Sequence, residues 1–172
     1  HFASVGSSGG GISILSSQLL STSDFMTGAF PAEYGNALSG VFDVHLRRGN
    51  NEKREYTAQV GVLGINLAAE GPFNKNNKSS YLVNYRYSTL QLLGKMGLDI
   101  GSGSTDFQDL SYHIYVPVGA KHQLSFFGFN GSSGQQFEPE KDESKWTSDL
   151  DRYSSVYSSR TSANGITHLY KG

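Results

Sequence analysis

The feature that most constrains the fold is an alternation of apolar and polar residues that recurs from residue 56 onwards. It is clearest in 81–90, where Tyr81, Val83, Tyr85 and Tyr87 alternate with polar residues after position 83. Successive side chains of a strand point to opposite faces, so the pattern predicts strands with one apolar and one polar face. We predict six such strands, over 56–63, 65–73, 81–90, 107–118, 123–130 and from about 158 onwards.

The connections between these strands alternate in length, which is typical of an outer-membrane barrel. Long loops are predicted over 91–105, with a short helix near 92–98, and over 131–157, and shorter turns over 74–80 and 119–122. The tight turn at Gly64 is an exception. The chain has no apolar run near the roughly 20 residues of a membrane-spanning helix, whereas a barrel strand needs only about 9–11. With 21 Gly, 10 Tyr and 10 Phe, the composition fits an all-β protein with one polar face.

The sequence offers no catalytic or metal-binding pattern. There is no cysteine, which excludes disulfides and thiolate metal sites, and the five histidines show no His-Glu-x-x-His spacing. The Gly-Ser repeat at 101–104 lacks the strand–turn–helix frame of a nucleophile elbow. A net charge of -1 gives no global field for nucleic acid. We therefore expect neither an enzyme nor a cofactor.

A second constraining stretch is 28–49, with the sequence GAFPAEYGNALSGVFDVHLRRG. Pro31 fixes one backbone angle, and Gly35 and Gly40 supply conformations that other residues avoid. The alternation over 41–46 predicts a short strand after this turn. Asp24, in the polar break that precedes the stretch, is a candidate for capping the next structural element.

This stretch resembles the end of the plug domain of TonB-dependent outer-membrane receptors. The plug of that family closes with a Ser/Pro-Ala-Glu-Tyr-Gly element, a Gly-Val step and a final strand that ends in Lys/Arg and Gly. The structural plug-motif residues would be Glu33, Tyr34, Gly35 and Gly40. Downstream, the segment EGPF at 70–73 resembles the family's Gly-Pro turn after the second barrel strand. The sequences FPAEYGNALSGVFD, EGPF and YLVNYRYSTL most resemble those of receptors of the Bacteroidetes type.

The resemblance implies a 22-stranded barrel with a plugged lumen in the bacterial outer membrane. Residues 1–50 would be the C-terminal part of the plug, and 51–172 about the first six strands of a barrel that continues beyond them. The implied function is energy-coupled uptake of a scarce siderophore, vitamin, glycan or peptide. The implied partners are TonB, through a segment outside these 172 residues, the lipid bilayer, and a surface lipoprotein or another outer-membrane complex.

The resemblance also implies candidate contacts between plug and barrel. Arg47 and Arg48 would end the plug, where basic residues of this family often meet carboxylates of the barrel wall. Glu70 and Arg86 would project into the lumen, and either pair with the plug or remain ordinary hydrated residues.

The acidic loop over 138–151 is a candidate for substrate capture. Trp146, Asp149 and Asp151 would help to hold a cation or a sugar, and the alternative is a solvated loop.

A rival interpretation from a different class is a soluble or surface β-sandwich that acts as a binding or adhesion module. It predicts closed ends and a buried aromatic face, whereas the transporter predicts strands that continue.

Overall fold

The computed structural model describes residues 16–28, 30–35, 40–61, 64–74, 78–90, 96, 103–137, 139 and 142–172. In these residues the chain is all-β, with two antiparallel sheets, as predicted. Three short 3-10 turns accompany the strands, at Ala32–Tyr34, Glu143–Lys145 and Asp149–Arg152. The strands are β1 Asp24–Met26, β2 Val41–Asp43, β3 Glu55–Gly61, β4 Gly64–Asn74, β5 Ser79–Ser88, β6 Gly103–Val118, β7 His122–Phe137 and β8 Ser155–Tyr170. No helix among the described residues is long and apolar enough to cross a membrane.

The larger sheet contains six strands in sequence order from β3 to β8. Each strand pairs antiparallel with the next one along the chain, so the sheet is a simple meander. Gly119, at the tight turn between β6 and β7, has a φ of 65°, which glycine adopts without steric cost. β3 and β8 form the two edges of this sheet.

The two faces of this sheet differ in chemistry, in agreement with the alternation. One face, which we call the covered face, carries buried residues that are mostly polar. On β5 and β6 these include Ser80, Leu82, Asn84, Ser88, Phe107, Asp109, Ser111, His113 and Tyr115. The opposite, exposed face is largely apolar and aromatic. It includes Tyr56, Val60, Leu67, Tyr85, Tyr87, Leu110 and Ile166, all exposed.

The last three strands are longer than predicted, at 16 residues each. β6 begins at Gly103 rather than 107, β7 runs to Phe137 rather than 130, and β8 begins at Ser155 rather than 158. The predicted loops 91–105 and 131–157 are therefore too long. Residues 131–136 are small or polar and show no apolar alternation, but they pair along their whole length with β6 and β8. Cross-strand hydrogen bonding extends these strands where side-chain pattern gives no signal.

The region before residue 50 also differs in detail from the prediction. The strand predicted over 41–46 stops at Asp43, and only an isolated bridge between Leu20 and Leu46 follows it. Asp24 does not cap the next element, because it begins β1 and pairs with Asp43. The short helix predicted near 92–98 lies outside the described residues except for position 96.

The aromatic run at 126–129 is oriented by the strand register. Phe127 and Phe129 lie opposite His113 and Ser111 and so belong to the covered face. The ring of Phe127 lies over Gly165 on β8, in the space that a side chain there would fill. The alternation alone left this orientation open.

Candidate functional site

The segment that meets the sheet, residues 45–50, is held in place by pairing with residues 18–21. The backbone N–H of Ser21 donates to the His45 carbonyl at 2.8 Å, and that of Arg47 donates to the Leu19 carbonyl at 2.8 Å. Leu19 is fully buried beside this pairing. Because the backbone is fixed on both sides of Leu46, the direction of the following arginine side chain is restricted.

Arg47 and Glu70 form the central contact between this segment and the sheet. The two terminal nitrogens of the Arg47 guanidinium donate to the two carboxylate oxygens of Glu70, each at 2.8 Å. The backbone N–H of Asn50 donates to the same carboxylate at 2.7 Å, and Arg47 Nε donates to the Gln18 carbonyl at 2.6 Å. Bidentate, charge-assisted pairs of this kind are among the stronger hydrogen-bonded contacts in proteins. The structure thus brings two of the sequence candidates together.

Arg48 makes a second contact, with β6 and β7. Its guanidinium carbon lies 3.8 Å from the centre of the Tyr115 ring, which is a cation–π geometry. A terminal nitrogen also donates to Gln123 Oε1 at 3.2 Å. No carboxylate pairs with Arg48 among the described residues. Arg47 therefore binds a carboxylate of the sheet, whereas Arg48 binds an aromatic ring and an amide.

Gly49 lies directly on the backbone of β5. A Cβ atom at this position would overlap the carbonyl group of Tyr81, so only glycine permits the approach. On the neighbouring strand, His113 Nδ1–H donates to the carbonyl oxygen of Arg47 at 2.7 Å. Residues 47–49 therefore contact four consecutive strands, from β4 to β7.

The predicted plug-motif residues build a local turn. Glu33 and Tyr34 lie in the 3-10 turn Ala32–Tyr34, which ends at Gly35, and the Tyr34 hydroxyl donates to Asp43 Oδ2 at 2.9 Å. This hydrogen bond to a carboxylate raises the pKa of the Tyr34 phenol above its usual value. A Cβ atom at Gly40 would lie 3.4 Å from the Met26 carbonyl oxygen, so Gly40 packs closely on β1. The motif holds the turn to the β1–β2 pair.

Arg86 is paired within the sheet. Its Nε lies 3.0 Å from one Asp109 oxygen, and a terminal nitrogen lies 2.9 Å from the other. The two residues are directly opposite in the register of β5 and β6, and the Asp109 side chain is only 5% exposed. An acidic partner of Arg86 therefore lies on the next strand of the same sheet. Asp109 is not among the residues that the sequence pattern singles out.

The three loop candidates lie close together in the connection between β7 and β8. Asp151 Oδ2 accepts hydrogen bonds from the backbone N–H groups of residues 147 and 148, at 2.7 and 2.9 Å. These bonds hold the pKa of Asp151 below its usual range. Trp146 stacks under the Arg152 guanidinium at 4.6 Å, and Asp149 is almost wholly exposed at 4.0 Å from the same residue. Asp151 and Trp146 are thus engaged in holding the loop itself.

A row of amides crosses β3, β4 and β5 on the covered face. Asn66 Nδ2 donates to Gln59 Oε1 at 2.9 Å, and Asn84 Nδ2 donates to Asn66 Oδ1 and, at 3.2 Å, to the Leu67 carbonyl. Asn84 is fully buried, so this face places hydrogen-bonding groups in the interior. In the part of the chain that the structure describes, no three His, Asp or Glu residues are grouped closely enough to hold a metal ion.

The chain was compared with protein families, curated proteins and solved structures. No protein-family model, no curated protein and no solved structure matches the chain.

Proposed function

We propose that this chain belongs to a TonB-dependent receptor of the bacterial outer membrane, of the Bacteroidetes type. Residues 16–50 would be the end of its plug and β3–β8 a part of its barrel wall. The parent protein would import a scarce siderophore, vitamin, glycan or peptide. Substrate would bind at the outer side, and a pull by TonB on a more N-terminal segment would displace the plug.

The observation that carries this proposal is the contact of residues 47–49 with the covered face of the sheet. A segment that ends in Arg-Arg-Gly lies against a meander sheet. In this contact Arg47 donates two hydrogen bonds to the Glu70 carboxylate. The sequence resemblance assigns that segment to the end of a plug and Glu70 to the wall. The geometry supports the proposal because the two parts meet through these residues.

The exposed face supports the assignment of the sheet to a membrane wall. Tyr56, Tyr85 and Tyr87 are exposed on it together with aliphatic residues such as Val60 and Leu67. A soluble protein rarely leaves so large an apolar face uncovered, whereas a barrel turns such a face toward lipid. β4 and β5, with 11 and 10 residues, have about the length that a tilted strand needs to span a bilayer.

The covered face suits the lumen of such a barrel. Barrel interiors of this type are polar, and the amide row and the Arg86–Asp109 pair lie on this side. In the proposed orientation the connections that follow β4 and β6 face the periplasm. The connections that follow β5 and β7 then face the outside, where Trp146, Asp149 and Asp151 would lie.

Cysteine cross-linking in the native membrane tests this proposal, because the chain contains no cysteine of its own. Arg48→Cys combined with Gln123→Cys joins two positions whose side chains are hydrogen-bonded. A short bis-maleimide should cross-link this pair in the outer-membrane fraction, in a species whose gel mobility shifts on heating. The matched control pairs Gln123→Cys with Ser144→Cys, which lies beyond the far end of β7, and should not cross-link.

The alternative of a soluble binding module has an opposite signature. A soluble species without a heat shift would overturn the transporter proposal and favour that alternative. An outer-membrane species in which the Arg48–Gln123 pair fails to cross-link would contradict the proposed seat of the plug.

A further inference from the structure

A cleft of about 450 Å³ opens beside residues 45–50, which we call the docked segment. It lies at the end of the sheet where β5 begins and β6 ends. The docked segment bounds it on one side, and the start of β5 and the end of β6 bound it on the other. Its volume falls within the range of small-molecule sites. The lining residues that matter here are Arg48, Asn51, Lys78, Ser80, Tyr115 and Gly119.

The cleft carries positive charge that the described residues do not neutralise. Arg48 and Lys78 both line it, and neither forms an ion pair among the described residues. Two acidic residues of the adjoining segments, Glu70 and Glu55, are engaged by Arg47 and Lys53. No carboxylate belongs to the described lining of the cleft. An anion that enters would therefore meet two cations and no competing acid.

A buried hydroxyl without a partner supplies the second, independent observation. Ser80 is only 1% exposed, and its Oγ forms no hydrogen bond in the described part of the chain. Buried polar groups are nearly always hydrogen-bonded, so this hydroxyl calls for a ligand group. Ser80 lines the same cleft as Arg48 and Lys78, so a residue with an unpartnered hydroxyl lies beside the two cations.

Arg48 is also held ready for such a ligand. Its guanidinium is stacked at 3.8 Å on Tyr115 and bonded at 3.2 Å to Gln123, both of which leave its positive charge uncompensated. A guanidinium presents several donors in a planar fork, which matches the oxygens of a phosphate or a carboxylate. Little side-chain freedom remains to be lost when an anion binds.

We propose that this cleft binds a small molecule that carries a phosphate or carboxylate group. Arg48 and Lys78 supply the charge, and the Ser80 hydroxyl donates a hydrogen bond to one oxygen. The site is defined by the described residues alone and does not depend on the transport proposal. An occupied cleft would also bring the ligand against Gly49, at the docked end of residues 16–50.

Calorimetric titration of the purified full chain with inorganic phosphate, and separately with succinate, tests the site. The two probes distinguish the phosphate from the carboxylate source. Loss of a hydrogen bond to a charged group weakens binding about tenfold or more, which is the effect expected for Arg48→Gln combined with Lys78→Gln. Ser80→Ala should weaken the same anion by about threefold or more, since a neutral hydroxyl contributes less.

Lys121→Gln is the matched control, because it removes the same charge at the same end of the sheet but from a residue outside the described lining. It should leave affinity within about twofold, as expected for a screened surface charge. The proposal is overturned if neither probe binds the parent chain, or if the double variant binds as tightly as the parent. Neither result bears on membrane insertion, so this failure is distinct from failure of the transport proposal.

Discussion

Arg47 and Glu70 are joined by two parallel hydrogen bonds of 2.8 Å, across 23 positions of sequence. Asn50 adds a third bond to the same carboxylate through its backbone N–H. The Glu70 side chain is 14% exposed and that of Arg47 31% exposed, so the pair is partly shielded from solvent screening. One carboxylate of the sheet therefore accepts hydrogen bonds from three donors of residues 45–50.

Arg47→Gln should weaken the contact of residues 45–50 with the sheet. Hydrogen bonds to charged groups are worth roughly 1.5–3 kcal/mol. A loss of about 2 kcal/mol would raise the fraction of molecules in which residues 45–50 are detached from the sheet about 30-fold. Trypsin cleavage after Arg48 measures that population when opening and closing are fast relative to cleavage. Glu70→Gln should give an effect in the same direction.

The control for this comparison is Lys53→Gln, which breaks an exposed ion pair with Glu55. Exposed pairs contribute little, so cleavage after Arg48 should change by no more than about twofold. If Arg47→Gln and Glu70→Gln add fully in the double variant, the two residues do not act as a pair. A double-mutant cycle with a clear coupling term is the expected result.

Gly49→Val should disrupt the contact of residues 45–50 with the sheet by a steric mechanism. A Cβ atom at Gly49 would overlap the Tyr81 carbonyl, which belongs to the β5 backbone and cannot move aside as a side chain would. We expect faster trypsin cleavage after Arg48, comparable to or greater than that of Arg47→Gln. Gly28→Val is the matched control, because nothing lies within 4 Å of a Cβ atom at Gly28. Equal cleavage rates in the two variants would contradict the close contact with Tyr81.

The β7–β8 connection should lose local order in acid. The backbone N–H of Ser148, followed by that of Thr147, holds the pKa of Asp151 below its usual value of about 3.9. A depressed pKa means that the stabilisation is present above the unfolded value and is lost as pH falls through the folded value. NMR amide shifts of residues 147 and 148 should therefore stay constant above about pH 4 and change below it. In Asp151→Asn this acid transition should disappear, while Asp149→Asn should keep it.

Sequence pattern predicted the alternating strands well and their ends poorly. The facing of residues 81–88 follows directly from the chain, because apolar and polar side chains alternate there. The extension of β7 through 131–137 does not, because its Gly, Ser and Gln residues are held by backbone pairing with strands distant in sequence. Long-range pairing of this kind leaves no period in the local sequence.

The candidate site shows the same division between local and non-local information. The resemblance pointed to Arg47 in the stretch 28–49 and to Glu70 in the segment 70–73, and the structure brings the two side chains into contact. It could not show that Asp109 would stand opposite Arg86, since that depends on the register between β5 and β6. The cleft at Arg48 is likewise formed by three separate segments, 48–51, 78–80 and 115–119, and no single stretch indicates it.

The Arg86–Asp109 pair yields the prediction that depends most on burial. Asp109 is 5% exposed and Arg86 17% exposed, so removing the Arg86 guanidinium leaves the Asp109 carboxylate without this partner in a poorly hydrated place. Arg86→Leu should cost about 3–5 kcal/mol of stability, the range found when a buried pair loses one member. Asp109→Asn should cost less, because an amide leaves a hydrogen-bonding group opposite the guanidinium.

The double variant Arg86→Leu with Asp109→Leu separates the charge effect from simple loss of packing. Replacing a buried ion pair by apolar residues is often neutral or stabilising, so the double variant should be more stable than Arg86→Leu alone. The temperature at which the folded gel species unfolds measures all three variants on one scale. A double variant that is less stable than Arg86→Leu would mean that the neighbouring Phe107, 6.0 Å from the guanidinium, and the rest of the covered face require a polar group at this position. The expected recovery would instead assign the cost to an unpaired carboxylate.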